Sequence, residues 1–275
     1  MPKPELIGVS KGIEIKLRKL KEAIAKKESI LVAYSGGVDS GLLAVIAHEV
    51  LKDRFRCAIL DSPIIPRRTI REAQETTKKH GFSCEVVPFP VAQNDIFRRN
   101  ASDRCYLCKE LFSEVLKKRA QEYNLAYVAD GVNLTDFEEH RPGIRASTEK
   151  GIIHPFVEVG ITKANIRGIA HLLNLDFWNK PSSACLSSRI PYGEEITEDK
   201  LRVIEKAEEF LNSIGFSQVR VRVHGNIARI EVRKDEIRKI LLVRENIIEH
   251  LRDCGFLYIT LDLEGYRSGS MDEVL

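Results

Sequence analysis

The segment from Ser29 to Leu51 constrains this chain more than any other. A continuous apolar run ends at Tyr34, a glycine pair follows at Gly36 and Gly37, and from Asp39 a helical pattern runs through Leu51. That is a strand, a tight loop and a helix. The unit then repeats. Cys57 to Leu60 reads as a strand, Arg67 to His80 as a helix, Cys84 to Val87 as a strand, Lys109 to Tyr123 as a helix, and Ala126 to Ala129 as a short strand before Asp130-Gly131. An amphipathic helix, Gly12 to Lys27, comes before them. Strands alternating with helices predict an α/β fold with a parallel sheet covered on both faces. Ligands in such sheets lie at the carboxyl ends of the strands.

Thr162 to Leu173 reads as a further helix with Thr162 as its N-cap. Lys180 to Gly193 is polar, with two prolines and four serines, and reads as a loop or linker. Beyond it the pattern changes to a helix (Ile196 to Gly215), hairpin strands around Gly225-Asn226, a helical stretch (Asp235 to Leu251) and a last strand (Leu257 to Leu261). This order predicts a small antiparallel α+β domain, so the expected division is residues 1–190 and 191–275. A chain of 275 residues has room for two such unequal domains.

Composition excludes several classes. With 43% hydrophobic and 30% charged residues and no low-complexity stretch, the chain is globular rather than disordered. Its 43 basic and 40 acidic residues are too balanced to announce nucleic acid. No run approaches the roughly 18 apolar residues of a membrane span, and the N-terminus shows no apolar signal stretch, so the expectation is a cytoplasmic protein without membrane contact.

Ser35-Gly36-Gly37-Val38-Asp39-Ser40, following Ala33 at the strand's end, has the context that gives a glycine-rich loop its chemistry. Glycines let backbone N–H groups approach phosphate oxygens, and the helix N-terminus adds a favourable dipole. Ser35 and Ser40 can donate further hydrogen bonds, and Asp39 can hold Mg²⁺ on a polyphosphate. The plainer alternative is a tight turn with Asp39 as a helix cap. The hexapeptide lacks the Gly-Lys-Ser/Thr end of a Walker loop and the spacing of a dinucleotide fingerprint, which disfavours phosphoryl transfer by a P-loop and hydride transfer.

Of six cysteines, only Cys105 and Cys108 cluster in sequence, just before a helix and flanked by Arg104 and Lys109. They can chelate a soft metal or form a redox disulfide. Two thiols are half a tetrahedral site, so a third ligand must come from afar, and Cys185, in a polar stretch between Lys180 and Arg189, is the leading candidate. Three cysteines on an iron–sulfur cluster would leave one iron open. Cys57, Cys84 and Cys254 lie in apolar contexts that suggest packing. In the second domain, Arg220, Arg222 and His224 alternate along one strand face. That face can bind a phosphate or carboxylate, or it can be solvated, with Arg229 and Glu231 as cross-strand partners.

The hexapeptide Ser35–Ser40 resembles the pyrophosphate loop of the N-type ATP pyrophosphatases, which include GMP synthetase, NAD synthetase and tRNA thiolases. Leu60-Asp61-Ser62-Pro63 and Asp130-Gly131-Val132-Asn133 are similar to the other nucleotide-contacting ends of that superfamily. Adding Arg141-Pro-Gly-Ile-Arg145, Trp178-Asn-Lys-Pro181 and the stretch from Ala184 to Gly193, nearly the whole chain resembles the LarE-type sulfur transferases. The resemblance implies ATP- and Mg²⁺-dependent adenylation of a carboxylate on pyridinium-3,5-biscarboxylic acid mononucleotide, then sulfur insertion, in nickel-pincer cofactor synthesis. It implies ATP contacts at Ala33, Ser35, Gly36, Gly37, Asp39, Ser40, Asp61, Ser62 and Gly131, and substrate contacts at Arg141, Arg145, Arg189, Arg220, Arg222 and Glu231. In single-cysteine members the residue matching Cys185 surrenders its own sulfur. With Cys105 and Cys108 present, the chain resembles members that hold a [4Fe-4S] cluster on three cysteines and need an external sulfur donor. A homo-oligomer, a hexamer by resemblance, is expected. Two competing readings are a tRNA thiolase and a non-catalytic protein that only binds an adenine nucleotide.

Overall fold

Ile30, Leu31 and Val32 have no exposed surface, and neither do Leu42, Leu43 and Ile46. A strand buried on both faces, followed by a helix with an apolar inner face, is what a parallel sheet under helices requires. The computed structural model describes residues 4–138, 142–181, 184–267 and 269–273. In chain order its elements begin α1 (Pro4–Ala25), β1 (Ile30–Ala33), α2 (Val38–Leu51), β2 (Phe55–Asp61), α3 (Arg67–Lys79) and β3 (Glu85–Pro88). They continue α4 (Asp95–Arg98), α5 (Arg104–Glu122), β4 (Tyr127–Ala129), α6 (Pro142–Glu149), α7 (Pro155–Glu158) and α8 (Lys163–Leu172). The last are α9 (Glu198–Ser213), β5 (Arg220–His224), β6 (Ile227–Glu231), α10 (Ile237–Leu242), α11 (Arg244–Asp253) and β7 (Tyr258–Leu261).

The chain forms two compact units. The first comprises Met1–Asp61, Arg67–Phe89 and Cys105–Ser183. Its sheet has the order β3-β2-β1-β4 with every pair parallel, Ile30 lying beside both Phe55 and Tyr127. This is the expected α/β sheet. Thr162 caps α8 as its sequence predicts, accepting from the Asn165 N–H, and Asn165 returns the bond to form a capping box. The stretch after Gly143, which carries no clear pattern, holds the short helices α6 and α7 and a parallel bridge from Ile153 to Ala129.

The second unit gathers Ser62–Pro66, Pro90–Arg104 and Ala184–Leu275. Asn100 ties its segments together. Its side-chain N–H group donates to the carbonyls of Ile190, Pro191 and Glu194 at 3.3, 2.7 and 2.9 Å, and its carbonyl accepts from Arg104. Strands β5 and β6 form the predicted hairpin, with Gly225 at φ 55° in the turn. The sheet is not wholly antiparallel, however: β7 pairs parallel to β6. Helices α10 and α11 lie between the two strands in sequence, and this crossover returns the chain in the same direction.

Candidate functional site

In the order β3-β2-β1-β4 the chain steps from β1 outward through β2 to β3, then places β4 on the opposite side of β1. Loops leaving β1 and β4 therefore diverge, and the crevice outside their ends is where an open α/β sheet holds a ligand. Residues 34–37 and 130–133 form those loops. Gly36 has φ +74°, a conformation that favours glycine, and Gly131 approaches so closely that an added Cβ would lie 2.7 Å from the Ser40 nitrogen. Gly37 precedes α2 in an extended conformation with no side-chain cap. The first N–H groups of a helix have no intrahelical acceptor, and with the helix dipole they favour an anion.

The loop is closed on itself. Ser40 Oγ accepts from the Ser35 N–H at 3.1 Å and lies 3.0 Å from Ser35 Oγ, while Ala33 is buried at the end of β1. Gly37 occupies the cap position and Asp39 lies inside the first turn. Both of its carboxylate oxygens accept from Lys163 Nζ, at 2.6 and 2.5 Å. Lys163 is the first residue of α8. A lysine there sits against the helix dipole, which disfavours cations in a first turn. That mismatch is the signal that could have singled it out.

Asp61, ending β2, pairs with Arg67 at the start of α3. Asp130, after β4, is buried and more heavily engaged: Oδ1 lies 2.7 Å from His154 Nδ1 and accepts from the Val132 N–H, and Oδ2 is 3.4 Å from Lys109 Nζ. Burial opposes its charge, but Lys109 and His154 override it and hold the carboxyl below the usual range. Lys109 belongs to α5, whose first turn carries Cys105 and Cys108. Spaced i, i+3, these thiols share a helix face, Cys105 exposed and Cys108 half-buried. Gly143 of α6 lies against this turn, where an added Cβ would meet Lys109 Cγ at 2.9 Å. Arg145, exposed on α6, stacks over the Tyr106 ring at 5.0 Å. Arg141 lies outside the described residues.

The remaining candidates belong to the second unit. Ser62 is buried there. Cys185, half-buried, precedes the 3-10 turn Leu186–Arg189. Arg189 is only 2% exposed, contrary to what a loop arginine usually does. Its guanidinium donates to Glu208 Oε1 and Oε2 at 2.8 and 2.9 Å and to the carbonyls of Ala184 and Cys185 at 3.0 and 2.9 Å. Arg189 thus holds the backbone of the cysteine loop. Burial opposes its charge, and Glu208 outweighs burial and raises its pKa.

Strand β5 is not solvated on its arginine face. Arg220, Arg222 and Glu231 are all buried, and Arg222 makes a bidentate pair with Glu231 at 3.0 and 2.7 Å. A third donation from Arg222 reaches the Ser188 carbonyl. Burial, and after it the charge of Arg189, lowers the pKa of Arg220. Glu208 carried its own sequence signal, a carboxylate on the apolar stripe of α9 with Ile204, Ala207 and Leu211. His154 carried none.

None of the six cysteines is in a disulfide, and among the described residues no three His, Cys, Asp or Glu side chains gather into a metal-holding group. Cys105 and Cys108 belong to the first unit and Cys185 to the second. No described helix is long and apolar enough to cross a membrane.

No protein-family model matches the chain. It is 39% identical over 265 residues to an uncharacterised protein of Synechocystis sp., covering 96% of this chain and 99% of that one. It is 34% identical over 254 residues to the pyridinium-3,5-bisthiocarboxylic acid mononucleotide synthase of Lactiplantibacillus plantarum, covering 92% of each. A more distant match, 25% over 229 residues, is to one component of the glutamine-hydrolysing GMP synthase of Archaeoglobus fulgidus, covering 74% of this chain and 71% of that one. Parallel sheet, glycine loop and relatives together define an ATP-using enzyme of the pyrophosphate-loop class. Within that class the chain belongs to the LarE-type sulfur transferases, the family of the Lactiplantibacillus synthase.

Proposed function

We propose that the protein binds ATP·Mg²⁺ on the Ser35–Ser40 loop, adenylates a carboxylate of pyridinium-3,5-biscarboxylic acid mononucleotide with release of pyrophosphate, and exchanges the activated oxygen for sulfur. The observation that carries this is the glycine loop at the switch point of the sheet, with Gly131 packed on Ser40 and Asp39 at the helix start. Asp39 is the Mg²⁺ ligand in this reading, and Ala33, Ser35, Gly36, Gly37, Ser40, Asp61, Ser62 and Gly131 line the nucleotide. The anionic substrate suits a cluster in which the buried Arg189, Arg220 and Arg222 and the partly exposed Arg229 outnumber Glu208, Glu231 and Asp262. Arg141 and Arg145 complete the proposed substrate contacts.

For the sulfur step, Cys105, Cys108 and Cys185 are the donors that would hold a [4Fe-4S] cluster. Two thiols on one helix face have the soft-donor chemistry such a group needs. When bound, the cluster supplies an open iron that can carry a transferable sulfide. A second reading rests on Arg189, which braces the loop of Cys185 alone: Cys185 then attacks the adenylate and gives up its own sulfur. The protein is proposed to work in the cytoplasm as a homo-oligomer, with an external sulfur donor in the cluster reading.

The reaction is tested by incubating the protein with ATP, Mg²⁺, sulfide as the sulfur source, tRNA as a competing acceptor and the biscarboxylic mononucleotide, and weighing the products. The expected result is exchange of one oxygen for one sulfur, with Asp39→Asn lowering the rate about 100-fold or more. Thiolated tRNA with no thiocarboxylate would overturn it. Anaerobic purification separates the two sulfur routes. About four irons per chain, lost in Cys105→Ala, supports the cluster. An iron-free active protein whose Cys185 loses its sulfur after one turnover supports the sacrificial route.

A further inference from the structure

Cys57 and Cys84 take no part in the site above, yet they lie together. Cys57 of β2 donates its S–H to Cys84 Sγ at 3.3 Å. The register pairs Ala58 with Glu85, so the two cysteines are lateral neighbours at the start of the β2–β3 ladder. Adjacent strands stand about 4.8 Å apart, within the roughly 4.4–6.8 Å Cα separation that a disulfide spans. Bonding then needs the sulfurs to close by about 1.3 Å, a distance side-chain rotation can supply.

Their surroundings favour an uncharged product. Cys57 is 2% exposed, Cys84 is partly exposed, and the buried phenol of Tyr34 lies beside both. Burial pushes the Cys57 thiol up, and the bond to Cys84 adds to the effect. Burial, then the two cysteines, does the same to Tyr34. A disulfide removes two titratable groups from this setting and leaves no polar hydrogen to satisfy. It would also fasten β3, a four-residue edge strand with a single sheet neighbour.

We propose that Cys57 and Cys84 form a reversible disulfide, with a small peroxide as the oxidant, that clamps β3 to β2. The partly exposed Cys84 sulfur attacks a peroxide oxygen, the O–O bond breaks, and Cys84 becomes a sulfenic acid as water leaves. The Cys57 sulfur then attacks Cys84 Sγ, the S–O bond breaks, and a second water carries away the remaining thiol proton. The sulfur pair loses two electrons and hydrogen peroxide is reduced to two waters. A thiol reductant reverses the bond.

The test is to treat reduced protein with hydrogen peroxide, alkylate the remaining thiols, digest without reductant and map the cysteines by mass spectrometry. A cross-linked peptide pair joining Cys57 to Cys84 is expected, and it disappears on reduction. The thermal midpoint rises by roughly 5 °C in wild type and stays unchanged in Cys84→Ser. Cys57 and Cys84 both recovered as alkylated thiols, or an equal rise in Cys84→Ser, would overturn the proposal.

Discussion

At the residue scale, the ion pair between Asp39 and Lys163 is the most informative contact in the nucleotide loop. In the proposed reading Asp39 holds Mg²⁺, and Lys163, which faces it, is placed to reach a phosphate oxygen of the same nucleotide. Lys163→Met is therefore expected to lower the ATP-dependent rate about 100-fold, with Lys163→Arg retaining part of it, as followed by pyrophosphate release. The hexapeptide around Asp39 was legible because its chemistry lies in consecutive residues. Lys163 was harder to single out, because it lies 124 residues from Asp39 in the chain and its one local signal is a lysine in the first turn of a helix.

At the element scale, Asp130 joins β4 to α5 and α7 through Lys109 and through His154, the residue that opens α7. Its depressed pKa has a defined consequence for stability. A carboxyl held below its unfolded value of about 3.9 stabilises the fold fully above that value, and the contribution is lost as pH falls through the lower, folded one. The thermal midpoint should thus fall between about pH 5 and pH 2, and Asp130→Asn, already lacking the charge, should show a shallower fall over the same range. Equal slopes in scanning calorimetry would remove Asp130 from that role. Strand β4 itself was readable from Ala126 to Ala129, but its partners were not, since lone histidines and lysines carry no periodic signal.

At the scale of the whole molecule, alternation of strand and helix was enough to read the α/β unit, because each βα step leaves an apolar period in the sequence. The second unit was harder. Ser62–Pro66 joins it through a backbone bond from the Leu186 N–H to the Ile64 carbonyl and Pro90–Arg104 through the Asn100 side chain, and no local pattern announces such bonds. The arginine strand was ambiguous for a related reason. Alternation in β5 marks two faces, but only the tertiary pairing of Arg222 with Glu231 shows that the polar one is buried.

The proposed reaction cleaves ATP between its α and β phosphates to activate a substrate oxygen. Phosphorus NMR of a reaction containing ATP, Mg²⁺, sulfide and the pyridinium mononucleotide tests it most directly. AMP and pyrophosphate should appear in equal amounts, only when the mononucleotide is present, and should vanish with Asp39→Asn. ADP and inorganic phosphate as products, or ATP left intact by an otherwise folded protein with substrate present, would contradict it.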